Sequence, residues 1–188
     1  MRRSDENNMY ARFTNAVKSQ AAAKLGRFRL HLVSEAIANQ GTRDGHCEVI
    51  YVGNVGVEFS YHFIDAILGA SFVKLEDGVV PERRSPMQMD GWGVSIGLEE
   101  LIRYKTGKDP ESLLPNPGPK SRIGAIEKTY ESRLSTLEAD IEGVVERCVD
   151  AVARYGQELF EGDESCFEPI QAEYTARIKA EYGWIPNR

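Results

Sequence analysis

Five consecutive residues, Gly93-Val94-Ser95-Ile96-Gly97, spell the G-x-S-x-G pattern in which a sharp strand-to-helix turn presents a serine nucleophile. Such a serine needs an imidazole to take its proton, and in α/β-hydrolases the acid and then the histidine follow the serine along the chain. All three histidines here, His31, His46 and His62, precede Ser95. The hydrolase order is therefore impossible, the residues PMQMD make a poor preceding strand, and a chain with 17 glycines produces the pattern cheaply. Residues 90–97 are expected to form a glycine-rich turn in which Trp92 packs or meets a partner and Ser95 helps to cap the next helix.

Other chemistry-bearing residues are scattered. Gly91, Gly93 and Gly97 give G-x-G-x-x-x-G, one residue away from the dinucleotide fingerprint and without a strong strand before it, so no cofactor is expected. His46 and Cys47 are adjacent at the start of a predicted strand, where neighbouring side chains point to opposite faces, so adjacency implies neither catalytic pairing nor metal binding. Cys47 reads as a small buried residue. Cys47, Cys148 and Cys166 are odd in number with no C-x-x-C pair, which disfavours a disulfide framework or a structural zinc and suits a reducing compartment. The residues thus nominate no catalytic group and no metal ligand. The opening MRRSDENNMY holds two arginines and no apolar stretch, and no apolar run approaches the roughly 18–20 residues of a membrane span, so a cytoplasmic protein is expected.

The elements that must position these residues follow from periodicity. Ser4-Asp5-Glu6 starts a helix whose Tyr10, Phe13, Val17, Ala21 and Leu25 share a face up to Gly26. In RFRLHLV the alternation suits a strand, but Leu32, Val33, Ala36 and Ile37 suit a helix, and a helix through Asn39 is expected, stopped by the glycines at 41 and 45. CEVIYVGNVGVEFS carries the strongest strand signal, with Gly53-Asn54 at a turn. A short helix YHFIDAILG capped by Ser60, and a short strand SFVKL, complete the reading of this region. Four prolines within 107–120 mark a boundary. Beyond it, Ile123, Ile126, Tyr130, Leu134, Leu137, Ile141, Val144, Cys148, Val152, Tyr155 and Leu159 recur at helical spacing, and a second helix starts near Asp163 or Ser165. The expected fold is α/β or α+β, helix-rich, a single domain with a small sheet around 46–75 and a C-terminal helical hairpin. Its parts are a core over 1–106, a proline-rich connection over 107–120 and a helical hairpin over 121–188 that packs on the core.

Residues 45–69, GHCEVIYVGNVGVEFSYHFIDAILG, resemble the strand, serine and helix core of STAS and STAS-like domains, small α/β partner-binding modules. In that family a serine at the helix start can be phosphorylated to switch partners, and the resemblance implies this role for Ser60. The sequence departs from the pattern at Gly53-Asn54, where an acid ends the strand in the family, and lacks the glycine that usually follows the serine.

Charge patterning bears on partners. The chain carries a formal charge of -6, yet residues 1–43 hold eight Lys/Arg against three Asp/Glu and residues 127–168 hold four against twelve. Opposite patches meet each other before they meet a stranger, so the basic N-terminal segment is expected beside the acidic C-terminal helix, within one fold or a dimer. Nucleic-acid binding through Arg2, Arg3, Arg12, Lys18, Lys24, Arg27 and Arg29 is disfavoured because these form no single stripe. The reading that results is a non-catalytic cytoplasmic protein-protein interaction module, a regulator or inhibitor of another protein, with Trp92, Arg83, Arg84 and Trp184 as partner-binding residues and a homodimer admitted. The enzymatic alternative is a small hydrolase or transferase with its site near Asp90 and Ser95. A nucleic-acid-binding protein using the basic segment is the second alternative.

Overall fold

The computed structural model describes residues 3–38, 46–62, 66–81, 95–110 and 123–182. The fold is α+β: a helix α1 (Arg3–Lys24), a 3-10 turn (Gly26–Phe28), strands β1 (His31–Ala38), β2 (His46–Val52), β3 (Gly56–His62), β4 (Ile67–Val73) and β5 (Ser95–Gly97), then helices α2 (Leu98–Thr106), α3 (Ile123–Tyr155), α4 (Gln157–Phe160) and α5 (Phe167–Tyr182). The five strands form one antiparallel meander in the order β1-β2-β3-β4-β5, each beside its neighbour in sequence.

Side chains alternate across this sheet. Cys47, Val49 and Tyr51 of β2 stand opposite Tyr61, Phe59 and Val57 of β3, and these in turn opposite Leu68, Ala70 and Phe72 of β4. That face is the floor of the core. Phe13, Val17, Ala21 and Leu25 of α1 close over it, as the N-terminal periodicity requires, together with Leu137, Ile141, Val144, Cys148 and Val152 of α3. Each large apolar side chain sealed here contributes about 1.5–3 kcal/mol of transfer free energy. Phe13 meets Tyr61 with ring centroids 6.1 Å apart, and Phe160 of α4 packs on Phe28 and Phe72 at 4.5 and 5.9 Å. Gly156 follows α3 at a close approach to the sheet: a Cβ there would lie 2.5 Å from a ring atom of Phe72. From the β2–β3 turn, Asn54 Nδ2 donates to the Phe160 carbonyl at 2.9 Å and ties the turn to α4.

The basic and acidic segments do meet. The Arg12 guanidinium donates to both carboxylate oxygens of Glu142 at 2.8 and 2.6 Å and to the Glu138 carbonyl at 2.8 Å. Lys24 pairs with Glu146 at 3.1 Å and Asp150 at 2.7 Å. These partners hold the Arg12 and Lys24 pKa values above their ordinary positions, although burial pulls the other way, and Arg12 holds the Glu142 carboxyl below the usual range.

Three local expectations are corrected. Residues 31–38 form a strand and not a helix: a bulge lies between Leu32 and Ser34, and the segment pairs with β2 along its length. No helix follows Ser60, which lies within β3 between Glu48 and Gly69; Ala66, at φ 46°, then turns the chain into β4. Ser95 does not cap α2. It opens β5, and Gly97 is the capping residue, without a side chain to offer.

The long helix bends at Asp140, whose backbone is non-helical at φ -150° and ψ 51°. There the carboxylate folds forward and accepts the Gly143 amide at 3.0 Å, the interaction of an N-cap placed inside one continuous run. α5 begins at Phe167, preceded by an Asp163 carboxylate that accepts the Ser165 amide at 2.9 Å. It packs on α2 and on β5. Among the described residues no helix is long and apolar enough to cross a membrane.

Candidate functional site

The second face of the sheet carries the polar groups. In successive rows across β2, β3 and β4 stand His46, His62 and Ile67, then Glu48, Ser60 and Gly69, then Ile50, Glu58 and Ser71. The imidazoles of His46 and His62 stack with centroids 5.2 Å apart and planes at 21°. His46 Nε2 lies 3.7 Å from a Glu48 oxygen, an ion pair when the ring is protonated. Glu58 and Ile50 are buried, at 7% and 8% exposed, so this face is covered at that end, whereas His62 and Ile67 at the other end are exposed. Part of the cover is the segment after β4: a side chain at Gly56 would meet Val73 and Val80 at 3.3 Å. This row of imidazole, carboxylate and hydroxyl groups can exchange protons and hold a polar group against the strands. It contains no set of three or more His, Cys, Asp or Glu side chains arranged to hold a metal ion, among the described residues. Sequence reading missed the cluster because its members come from a hairpin at offsets of 16 and 12 residues; the alternation His46, Glu48 and Ser60, His62 within the two strands was the available signal.

Ser95 sits far from any of these bases. It shares a row with Val73 of β4, which pairs with Gly56 of β3, whereas His62 closes the other end of that strand. Six residues of strand separate the two ends, about 20 Å, and His31 is four strands away at roughly 19 Å. No imidazole reaches the Ser95 hydroxyl. Its carbonyl accepts Gln171 Nε2 of α5 at 3.2 Å, so the residue serves to dock a helix on the sheet edge.

His46 and Cys47 point to opposite faces, as adjacent strand residues do. The Cys47 thiol is buried, donates toward the Tyr61 carbonyl at 3.7 Å, and is pushed up to about 12 by desolvation. Cys148 is likewise pushed up to about 12 by burial. Neither is a nucleophile at neutral pH.

The two sheet edges differ. β5 is short and covered by α5 through the Gln171 contact. β1 runs for eight residues, no described strand pairs with its outer side, and Leu32 and Val33 are 43% and 49% exposed upon it. Beside it Lys18 of α1 reaches Glu35 at 2.9 Å. The open edge is the second candidate surface, and the helix assignment for residues 31–38 hid it from sequence reading.

Of the basic residues that could meet nucleic acid, Arg12, Lys18 and Lys24 are engaged by carboxylates, and the Arg27 guanidinium lies 4.6 Å from the Phe28 ring centroid. Arg83, Arg84, Trp92 and Trp184 lie outside the described residues, as does Asp90. Comparison of the chain with protein-family models, with curated proteins and with solved structures returns no match.

Proposed function

We propose that the protein is a non-catalytic protein-protein interaction module, a regulator or inhibitor, that engages its partner along the outer edge of β1. The observation that carries this reading is the contrast between the two edges: one is occupied by a helix held with a glutamine side chain, and on the other no described strand pairs with the outer side of β1, where Leu32 and Val33 are exposed. Such an edge is a ready template for a further strand, with main-chain bonds supplying affinity and flanking side chains supplying selectivity. The separation of Ser95 from every histidine weighs on the same side against a serine hydrolase.

The test compares the wild-type chain with Val33→Lys, which places a solvated cation at the bulge of the edge strand, on a side chain 49% exposed. Backbone hydrogen exchange of residues 31–38 should slow when the wild-type chain is associated with its partner, and the variant should lose that association. Amides of β1 that exchange as an unpaired edge under every condition in which the chain is associated would refute the assignment.

A further inference from the structure

We infer that His46 and His62 form a two-imidazole clamp for a zinc-class divalent cation on the second face of the sheet, with Glu48 placed to orient His46. This site stands whether or not a partner docks on β1.

Register brings the ligands together. His46 stands directly opposite His62 in the antiparallel β2–β3 pair, so both imidazoles rise from the same face. Their centroids are 5.2 Å apart. Two imidazoles bonded to one tetrahedral zinc ion, with each nitrogen about 2.0–2.1 Å from the metal, place their ring centres about 5 Å apart. The backbone has thus already set the spacing of an ion-holding pair. The two planes are inclined by only 21°, and histidine χ2 is broad and roughly two-fold, so rotation about Cβ–Cγ turns a nitrogen of each ring toward a shared ion while the strands stay in place.

The surroundings suit a cation. Glu48 lies two residues from His46 on the same face, and one of its oxygens is 3.7 Å from His46 Nε2. A carboxylate in that position accepts the proton of one ring nitrogen, leaves the other nitrogen for the metal, and adds a negative charge beside it. In the next row Ser60 and Gly69 have a short side chain or none and leave room above the strands for coordinated water. His62 is exposed and His46 partly buried, which gives the ion a path in. Two protein ligands are fewer than a catalytic or structural zinc centre uses, in keeping with the lack of any larger His, Cys, Asp or Glu set among the described residues. The ion therefore keeps open positions for water or for a donor from another molecule. Imidazole ligands favour zinc, copper and nickel over magnesium, which takes oxygen.

Calorimetric titration with zinc chloride tests the site on the untagged full chain carrying Cys166→Ser, which removes the partly exposed thiol, with magnesium chloride as control. The expected result is saturable binding of one zinc ion per chain and none of magnesium. His62→Gln, a change at an exposed position, should raise the dissociation constant at least about tenfold, some 1.4 kcal/mol. Glu48→Gln should raise it by about tenfold, the loss typical of an outer carboxylate. In nuclear magnetic resonance spectra zinc should move the imidazole signals of His46 and His62 and leave that of His31, which pairs with Val52 at the other end of β2, in place. Absence of saturable zinc binding up to about 1 mM overturns the inference. So does binding that His62→Gln leaves undiminished, or zinc that moves the His31 signal alone.

Discussion

Replacing a glycine inside a helix by alanine ordinarily stabilises a protein by about 0.5–1 kcal/mol, because glycine gives up more backbone freedom on folding. Gly143 in α3 is expected to break this rule. A Cβ at that position would stand 2.5 Å from Asp140 Oδ1, well inside contact distance. The carboxylate must swing away, and with it goes the bond from the Gly143 amide, 3.0 Å long, that caps the second half of the helix. Loss of a cap of this kind costs about 1 kcal/mol. The gain and the loss nearly cancel, so Gly143→Ala should change stability by less than about 0.5 kcal/mol, or lower it. In an Asp140→Ala background nothing remains to clash with, and the same substitution should recover its ordinary gain of about 0.5–1 kcal/mol. The four proteins form a double-mutant cycle with an expected coupling of about 1 kcal/mol, measured by urea unfolding followed by far-ultraviolet circular dichroism. Equal stabilisation by Gly143→Ala in both backgrounds would show that the Asp140 carboxylate does not cap the helix at this joint.

Gly156→Ala drives a methyl group into Phe72 and against the Val152 carbonyl, and should lower stability by about 1–3 kcal/mol in thermal or urea melts; an unchanged melt would mean that α3 does not approach the sheet so closely. A thiol reagent at mildly alkaline pH should modify Cys166 first, while Cys47 and Cys148, pushed up to about 12, should react only as the chain unfolds; equal rates for the three would contradict the burial pattern. Because Arg12 holds Glu142 below the ordinary carboxylate range, their pairing stabilises the fold above that range and is lost as the pH falls through it. Arg12→Gln should therefore cost stability at neutral pH and converge with wild type in acid, and a gap that widens toward low pH would reverse the assignment.

How far the sequence revealed this arrangement can be judged at particular residues. The face Phe13, Val17, Ala21 and Leu25 was legible because α1 keeps helical spacing throughout, and the charge gradient announced the pairing of α1 with α3. β1 was not legible because its bulge changes parity: Leu32 stands over Tyr51 on the core side, and after the extra residue Glu35 and Ile37 take that side. Even positions give way to odd ones, and Leu32, Val33, Ala36 and Ile37 then imitate a helix. β4 was hidden by a turn inside an apolar run, which left Ile67 and Leu68 on opposite faces of a strand where they had suggested one helical stripe. The joint at Asp140 escaped notice because the apolar positions keep their period across it; only Asp140 followed three residues later by Gly143 hinted at a cap. The polar cluster of His46, Glu48, Ser60 and His62 depends on the hairpin register, which appears only when two strands are paired.

The pairing of α1 with α3 has a consequence for synthesis on the ribosome. Arg12 is translated 130 residues before Glu142, a gap of roughly 6–26 s at ordinary elongation rates. During that interval the meander can form by local hairpin closure, each strand finding its neighbour soon after it emerges. Phe13, Val17 and Leu25 then have the sheet on one side and an unfilled berth on the other until α3 arrives. The nascent chain is thus expected to hold the apolar face of α1 half covered until α3 has been made, a surface open to chaperones for that interval.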